Sequence, residues 1–152
     1  MPDPTPRPHL HFRLSYRVSR LARIMQTRVE DVLAPFGLTR MMWLVLTGLG
    51  EDGVHSPSDL AAYIGITRPA TSRLLRRMED LGHVARFGSD RDGRGITLAL
   101  TPLGQDVLVR CRPQVDAVLA RFTEKLSPAT LHVVIDGLGR LAEAEHIDLS
   151  RL

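Results

Sequence analysis

From Arg13 to about Leu33 the apolar residues Leu14, Val18, Leu21, Met25, Val29 and Val32 recur every three or four positions. That spacing lines one face of a long α-helix. Pro35-Phe36-Gly37 stops the helix, and Thr39 is placed to cap a shorter one that runs through Trp43 and Leu46 to Leu49. After a turn at Gly50–Gly53, Ser56-Pro57 supplies a cap with proline at the first helical position. Asp59 follows where a carboxylate favours a helix start. The helix this opens, Ser58–Ile64, is short. Gly65-Ile66-Thr67 turns the chain, and Arg68-Pro69 begins another helix ending near Gly82. Two short helices about a glycine turn form a helix-turn-helix.

Beyond Gly82 the period changes. His83–Phe87 and Ile96–Leu100 are short β-branched and aromatic segments, and between them lies the basic loop Gly88–Gly95. A hairpin directly behind a helix-turn-helix is a wing. Thr101-Pro102 then starts a long helix with the stripe Leu103, Val107, Cys111, Val115, Leu119, Phe122 and Leu126, and Pro113 inside it is expected to kink it. Ser127-Pro128 opens a last helix with Leu131, Val134, Ile135, Leu138 and Leu141 on one face. The expected fold is mainly α with a small β-hairpin wing. A flexible proline-rich tail covers residues 1–12, an N-terminal helix 13–36, a winged helix-turn-helix lobe 37–101 and C-terminal helices 102–152.

Composition narrows the function. The 152 residues are 43% hydrophobic, enough for a core, yet no run approaches the ~18–20 uncharged apolar residues of a membrane span. The N-terminus has prolines at 2, 4, 6 and 8 and no apolar region of a signal peptide, and the single Cys111 excludes a disulfide framework or a cysteine zinc site. These features point to a cytoplasmic protein. No nucleophile–base pair, metal cluster or Gly-rich phosphate loop argues for an enzyme, and no cofactor is expected. His9 and His11 form an H-x-H pair that nothing in the sequence completes as a metal site.

The net charge of +3 conceals its distribution: residues 1–28 carry +5, residues 29–67 carry −4, residues 68–94 carry +3 and residues 95–152 carry −1. Nineteen of the twenty basic residues are arginine. The second basic segment coincides with the helix-turn-helix and wing, a pattern suited to double-stranded DNA. In the helix from Pro69 to Leu81, Thr71, Leu74, Leu75 and Met78 can face inward, while Arg73 and Arg77 share the opposite face with Pro69, Ser72 and Arg76 nearby. An α-helix fits the major groove, and arginine's fork bonds guanine edges or clasps phosphate. Arg68 and Ser72 lie near the helix start, where free N–H groups favour a phosphate. At the wing tip Asp92 can hold the hairpin while Arg94 enters the minor groove, with Gly93 and Gly95 permitting close approach.

The succession Leu60-Ala61, Ile66-Thr67-Arg68-Pro69, Arg73-Leu74-Leu75-Arg76-Arg77-Met78, Gly82, Asp92-Gly93-Arg94 and Leu100-Thr101-Pro102-Leu103-Gly104 resembles the MarR family of bacterial transcription regulators over roughly residues 13–146. The resemblance implies a winged-helix lobe between dimerisation helices, and a homodimer on a pseudo-palindromic operator. It implies repression relieved by a small ligand or an oxidant. Arg73 and Arg77 match recognition-helix positions; Asp92 and Arg94 match the wing motif. The crevice where family members bind aromatic acids would be lined here by Phe12, Arg13, Tyr16, Met41, Met42 and Trp43. Arg13 is then a carboxylate partner, and Met42 and Trp43 equally suit a core.

The outer apolar stripes are too extensive for the central lobe to cover. Each Leu or Val buried is worth roughly 1.5–3 kcal/mol, which favours pairing with a second chain. Two recognition helices about 34–36 Å apart would then meet successive major grooves. Two alternatives stand beside this reading. One is a winged-helix module that binds another protein. The other is a redox-responsive regulator using Cys111, although peroxide-sensing members of the family carry their reactive cysteine in the first helix, where this chain has none.

Overall fold

The computed structural model describes residues 8–88, 95–143 and 145. In chain order these form α1 (Pro8–Leu33), a 3-10 turn (Ala34–Phe36), α2 (Arg40–Gly50), α3 (Pro57–Ile64), α4 (Arg68–Asp80), β1 (Val84–Phe87), β2 (Thr97–Leu100), α5 (Pro102–Thr123) and α6 (Pro128–Ala142). Five of the helices start on a hydroxyl. Thr39, Ser56, Thr67, Thr101 and Ser127 each accept a hydrogen bond from the backbone N–H three residues on, at 3.0–3.3 Å. Each bond satisfies one of the helix's otherwise unpaired first-turn donors. Thr67, read from the sequence as part of the turn, is thus the cap of α4.

Helix α1 begins five residues before the expected Arg13, so the tail expected over residues 1–12 gives way to helix at Pro8. Proline is tolerated in a first turn because its missing N–H would have no partner there. Helix α5 runs unbroken through Pro113. Cys111 and Val115, buried on either side of it, hold the helix against the core where the proline removes a hydrogen bond.

Helix α2 is the centre of the molecule, with seven of its eleven residues buried. Leu33 of α1, Leu60 of α3, Leu75 and Met78 of α4, Leu98 of β2 and Leu108 of α5 close around it. The strands pair antiparallel from Val84↔Leu100 to Phe87↔Thr97, which buries Val84 and Leu98 against that core. The free edge of β2 is covered by the residue before the α3 cap: Leu98 N–H donates to the His55 carbonyl at 2.7 Å, and His55 Nδ1 lies 3.2 Å from the Leu98 carbonyl. Among the described residues no single helix is long and apolar enough to cross a membrane.

Burial is uneven. The first part of α1 leaves Phe12, Leu14, Tyr16, Val18, Leu21 and Ile24 exposed, and α6 has no buried residue at all. The lobe between them is closed at one junction. Thr101 N–H donates to the His83 carbonyl at 3.0 Å, its hydroxyl donates to the Gly82 carbonyl, and the same hydroxyl accepts from Gly104 N–H. Gly104 packs so closely on His83 that a Cβ there would run into the His83 carbonyl oxygen. Gly104→Ala must therefore push α5 away from the hairpin base. It is expected to destabilise the chain by about 1–3 kcal/mol, the usual cost of overpacking, seen as a lowered midpoint in thermal unfolding.

Candidate nucleic-acid interface

The turn between α3 and α4 is set by Gly65, whose φ of 77° is a left-handed conformation that side chains other than glycine rarely adopt. It swings the chain so that the Thr67 cap can open α4. Thr71 ties back to the same residue, donating from its hydroxyl to the Thr67 carbonyl at 3.0 Å. Thr71, Leu75 and Met78 are fully buried and Leu74 is half-buried, as the periodicity anticipates. The helix thus has one permitted orientation about its axis.

That orientation presents Arg68, Pro69, Arg73, Arg76 and Arg77 to solvent, with Ser72 half-buried between them. Arg76 Nη2 lies 3.4 Å from Ser72 Oγ and donates to it, holding the guanidinium along the helix. Among the described residues none of these four arginines forms a salt bridge. The face is a row of cations at helical spacing with no acidic partner among the described residues; Pro69 has no N–H and the Ala70 N–H is taken by Thr67, so the α4 start adds little to it. Such a row fits a polyanion in a groove.

The hairpin stands behind this helix. Arg86 of β1 donates from Nε and Nη2 to the two carboxylate oxygens of Glu79, both at 3.1 Å. Neither this pair nor the His55–Leu98 contacts were legible in the sequence, because no local motif encodes either. The strands approach closely at Gly88 (φ 82°), where a Cβ would lie 2.6 Å from the Gly95 carbonyl oxygen. Asp92, Gly93 and Arg94 lie outside the described residues.

Of the residues expected to line an effector crevice, Phe12, Arg13 and Tyr16 come together, and Met41, Met42 and Trp43 do not join them. Phe12 and Tyr16 stack on the exposed face of α1 with ring centres 6.2 Å apart, and they border an open groove with Arg13, Arg17, Arg20, Leu21 and Ile24. Met42 and Trp43 belong instead to the core, 1% and 5% exposed, because α2 is packed on nearly every side; Met41 is half-buried. The Trp43 ring is covered by the Arg112 guanidinium, 5.1 Å from its centre, and Arg112 in turn pairs with Glu51 and Asp116. Among the described residues no group of three or more His, Cys, Asp or Glu side chains clusters to hold a metal.

A helix-turn-helix whose second helix carries a free arginine face, backed by a two-stranded hairpin, defines a winged-helix DNA-binding protein. Residues 36–95 match the sequence profile of the MarR family. The HTH-type transcriptional repressor Rv2887 of Mycobacterium tuberculosis is 32% identical over 75% of this chain and 82% of its own length. The transcriptional activatory protein BadR of Rhodopseudomonas palustris is 31% identical over 85% of this chain and 80% of its own. Among solved structures, AbsC of Streptomyces coelicolor superposes with a TM-score of 0.77 at 29% identity, covering 94% of this chain and 97% of AbsC. Rv2887 in complex with salicylic acid superposes at 0.65 and 28% identity, covering 93% of this chain and 99% of that one. The chain belongs to the MarR family of transcriptional regulators, which is not a family of enzymes.

The lone thiol bears on how such a regulator would be switched. Cys111 is 1% exposed, and burial pushes its pKa above the ordinary thiol value, with the Arg110 charge opposing more weakly. A thiol held protonated and covered is a poor target for peroxide. Cys111 in the native chain is expected to react with iodoacetamide at neutral pH far more slowly than in denaturant. Equal rates would restore the redox-responsive alternative.

Proposed function

We propose that the chain is a homodimeric repressor that binds a pseudo-palindromic operator through α4 and the wing and is released by an aromatic acid. The observation that carries the DNA reading is the arginine face of α4, unpaired among the described residues and fixed in orientation by the buried Thr71, Leu75 and Met78. Arg73 and Arg77 are assigned to base edges, and Arg68, Pro69, Ser72 and Arg76 to positioning along the groove. Asp92 and Arg94 are assigned to the wing contact. The exposed stripes of α1 and α6 support pairing with a second copy: Val133, Val134, Ile135, Leu138 and Leu141 are all solvent-facing in one chain. Leaving so many large apolar side chains wet forgoes roughly 1.5–3 kcal/mol each. A dimer built on them would carry two α4 helices to successive major grooves.

The sense of regulation is read from Rv2887, named a repressor, although BadR is named an activatory protein. The effector class follows from the salicylic acid bound to Rv2887 and from the α1 groove, where Arg13 offers a cation beside the stacked Phe12 and Tyr16. In this reading Met42 and Trp43 belong to the core and do not touch the ligand.

Selection of duplexes from a random pool, followed by salt titration, tests the DNA assignment. Arg73→Ala is expected to cost roughly 1–3 kcal/mol and to relax base preference, while Arg94→Ala weakens binding to every sequence and lowers the salt exponent by about one. Two protomers per duplex are expected by sedimentation. Unchanged affinity in both variants, or a salt-insensitive interaction, favours a protein-binding module instead. For the effector, salicylate is expected to weaken operator binding by about fivefold or more, within the usual range of allosteric coupling, and Arg13→Ala to abolish the response. A response that survives Arg13→Ala would place the acid elsewhere.

A further inference from the structure

The described arginines of α4 and β1 divide into two kinds. Arg68, Arg73, Arg76 and Arg77 have no carboxylate partner among the described residues, whereas Arg86 is bound through two nitrogens to Glu79. Stability is a poor reason for this pair. Glu79 sits in the last turn of α4, where the helix dipole disfavours a carboxylate. The two side chains remain about 30% and 27% accessible, so solvent still screens part of the pair's attraction. The position of Arg86 is more telling. Together with Ser58, Arg68 and Ser72 it lines a small cup between α3, α4 and the hairpin base, at the margin of the arginine face. A free guanidinium there would stand within reach of a backbone phosphate. Glu79 engages Nε and Nη2, holding the guanidinium by one edge, and cancels its charge.

We propose that Glu79 is a specificity-determining residue, which clamps Arg86 along the flank of α4 and withholds one cation from the phosphate backbone. Phosphate contacts raise affinity for every sequence alike, so a withheld cation lowers non-operator binding and leaves discrimination to the groove-facing arginines. This inference rests on the DNA-binding reading above.

The test compares Glu79→Gln with Asp80→Asn, which removes the same charge from the neighbouring exposed position, and with Arg86→Met alone and combined with Glu79→Gln. Each chain is titrated over a salt series against a duplex of random sequence and against a duplex selected for tight binding. Glu79→Gln is expected to bind the random duplex about threefold to tenfold more tightly, with a salt exponent steeper by about one, and so to lose discrimination. Asp80→Asn is expected to leave the exponent as in wild type. Arg86→Met combined with Glu79→Gln is expected to match wild type on the random duplex, whereas Arg86→Met alone leaves the Glu79 carboxylate uncompensated and is expected to bind it less tightly.

An unchanged exponent in Glu79→Gln would overturn the clamp. So would an equal effect from Asp80→Asn, or binding tighter than wild type in the chain carrying both Arg86→Met and Glu79→Gln. Random-duplex binding weaker than wild type in that charge-matched chain would also overturn it, since Arg86 would then already be touching phosphate. A wild-type chain without salt-dependent affinity for any duplex would instead bring down the DNA-binding reading itself. Removing an acid from a helix C-terminus is compatible with folding, and an unaltered helical circular dichroism signal confirms that the variants are compared in the same fold.

Discussion

The junction at Thr101 is the constraint on which the DNA-binding lobe depends. One side chain accepts from Gly104 N–H to cap α5 and donates to the Gly82 carbonyl at the end of the α4 turn, while its backbone N–H meets His83. The end of α4, both ends of the hairpin and the start of α5 therefore converge on a single point. Gly104 allows that convergence because any side chain there would strike the His83 carbonyl. The hairpin is an excursion from this point and back, so its base has a defined relation to α4 whatever path its tip follows. A loose junction would leave the arginine face and the wing as two independent elements, each with its own orientational freedom to lose on binding.

Electrostatics then sorts the arginines that composition lumps together. A net charge of +3 is modest for a protein that meets a polyanion, but it averages a basic segment at 68–94 over an acidic one at 29–67. The structure divides them further. Glu51 of the acidic segment is spent on Arg112, away from α4, and Asp52 accepts from the Tyr63 hydroxyl at 2.6 Å. Glu51 and Asp52 are thereby engaged with α5 and α3, while Arg68, Arg73, Arg76 and Arg77 of α4 have no acidic partner among the described residues.

Most of the architecture was legible because it is written locally. Ser-Pro and Thr-Pro pairs announced α3, α5 and α6, the spacing of Thr71, Leu75 and Met78 oriented α4, and the change of period after Gly82 announced the hairpin. Two departures are local: Pro8 lies in helix because a first turn tolerates proline, and Thr67 is the α4 cap rather than part of the turn. Of the candidate site, the α4 residues were readable from helical periodicity alone. Met42 and Trp43 were not separable from a ligand wall by sequence, since a core and an apolar pocket call for the same side chains. The Glu79–Arg86 and Arg112–Glu51 pairs were invisible, for a charged residue has many potential partners until the fold selects one.

Uneven burial gives the molecule two mechanical parts. The lobe around α2 has a complete core, whereas the start of α1 and the whole of α6 present apolar faces to solvent. Helix α5 belongs to both, buried at Val107, Cys111 and Val115 and progressively exposed beyond. At that transition Arg112 reaches across to Glu51 at the end of α2 and lies over Trp43, while Arg110 lies 5.6 Å from the centre of the Phe36 ring. A shift of α5 along its axis must break the Arg112–Glu51 bonds or carry the end of α2 with it. Asp52, the next residue, holds Tyr63 of α3, and α3 packs against α4. Helices α5 and α4 are therefore joined through the α2–α3 turn by an ion pair, a hydrogen bond and the packing of α3 on α4. The two polar links are part-exposed, so they can be exchanged for water at modest cost, which suits a joint more than a rigid weld.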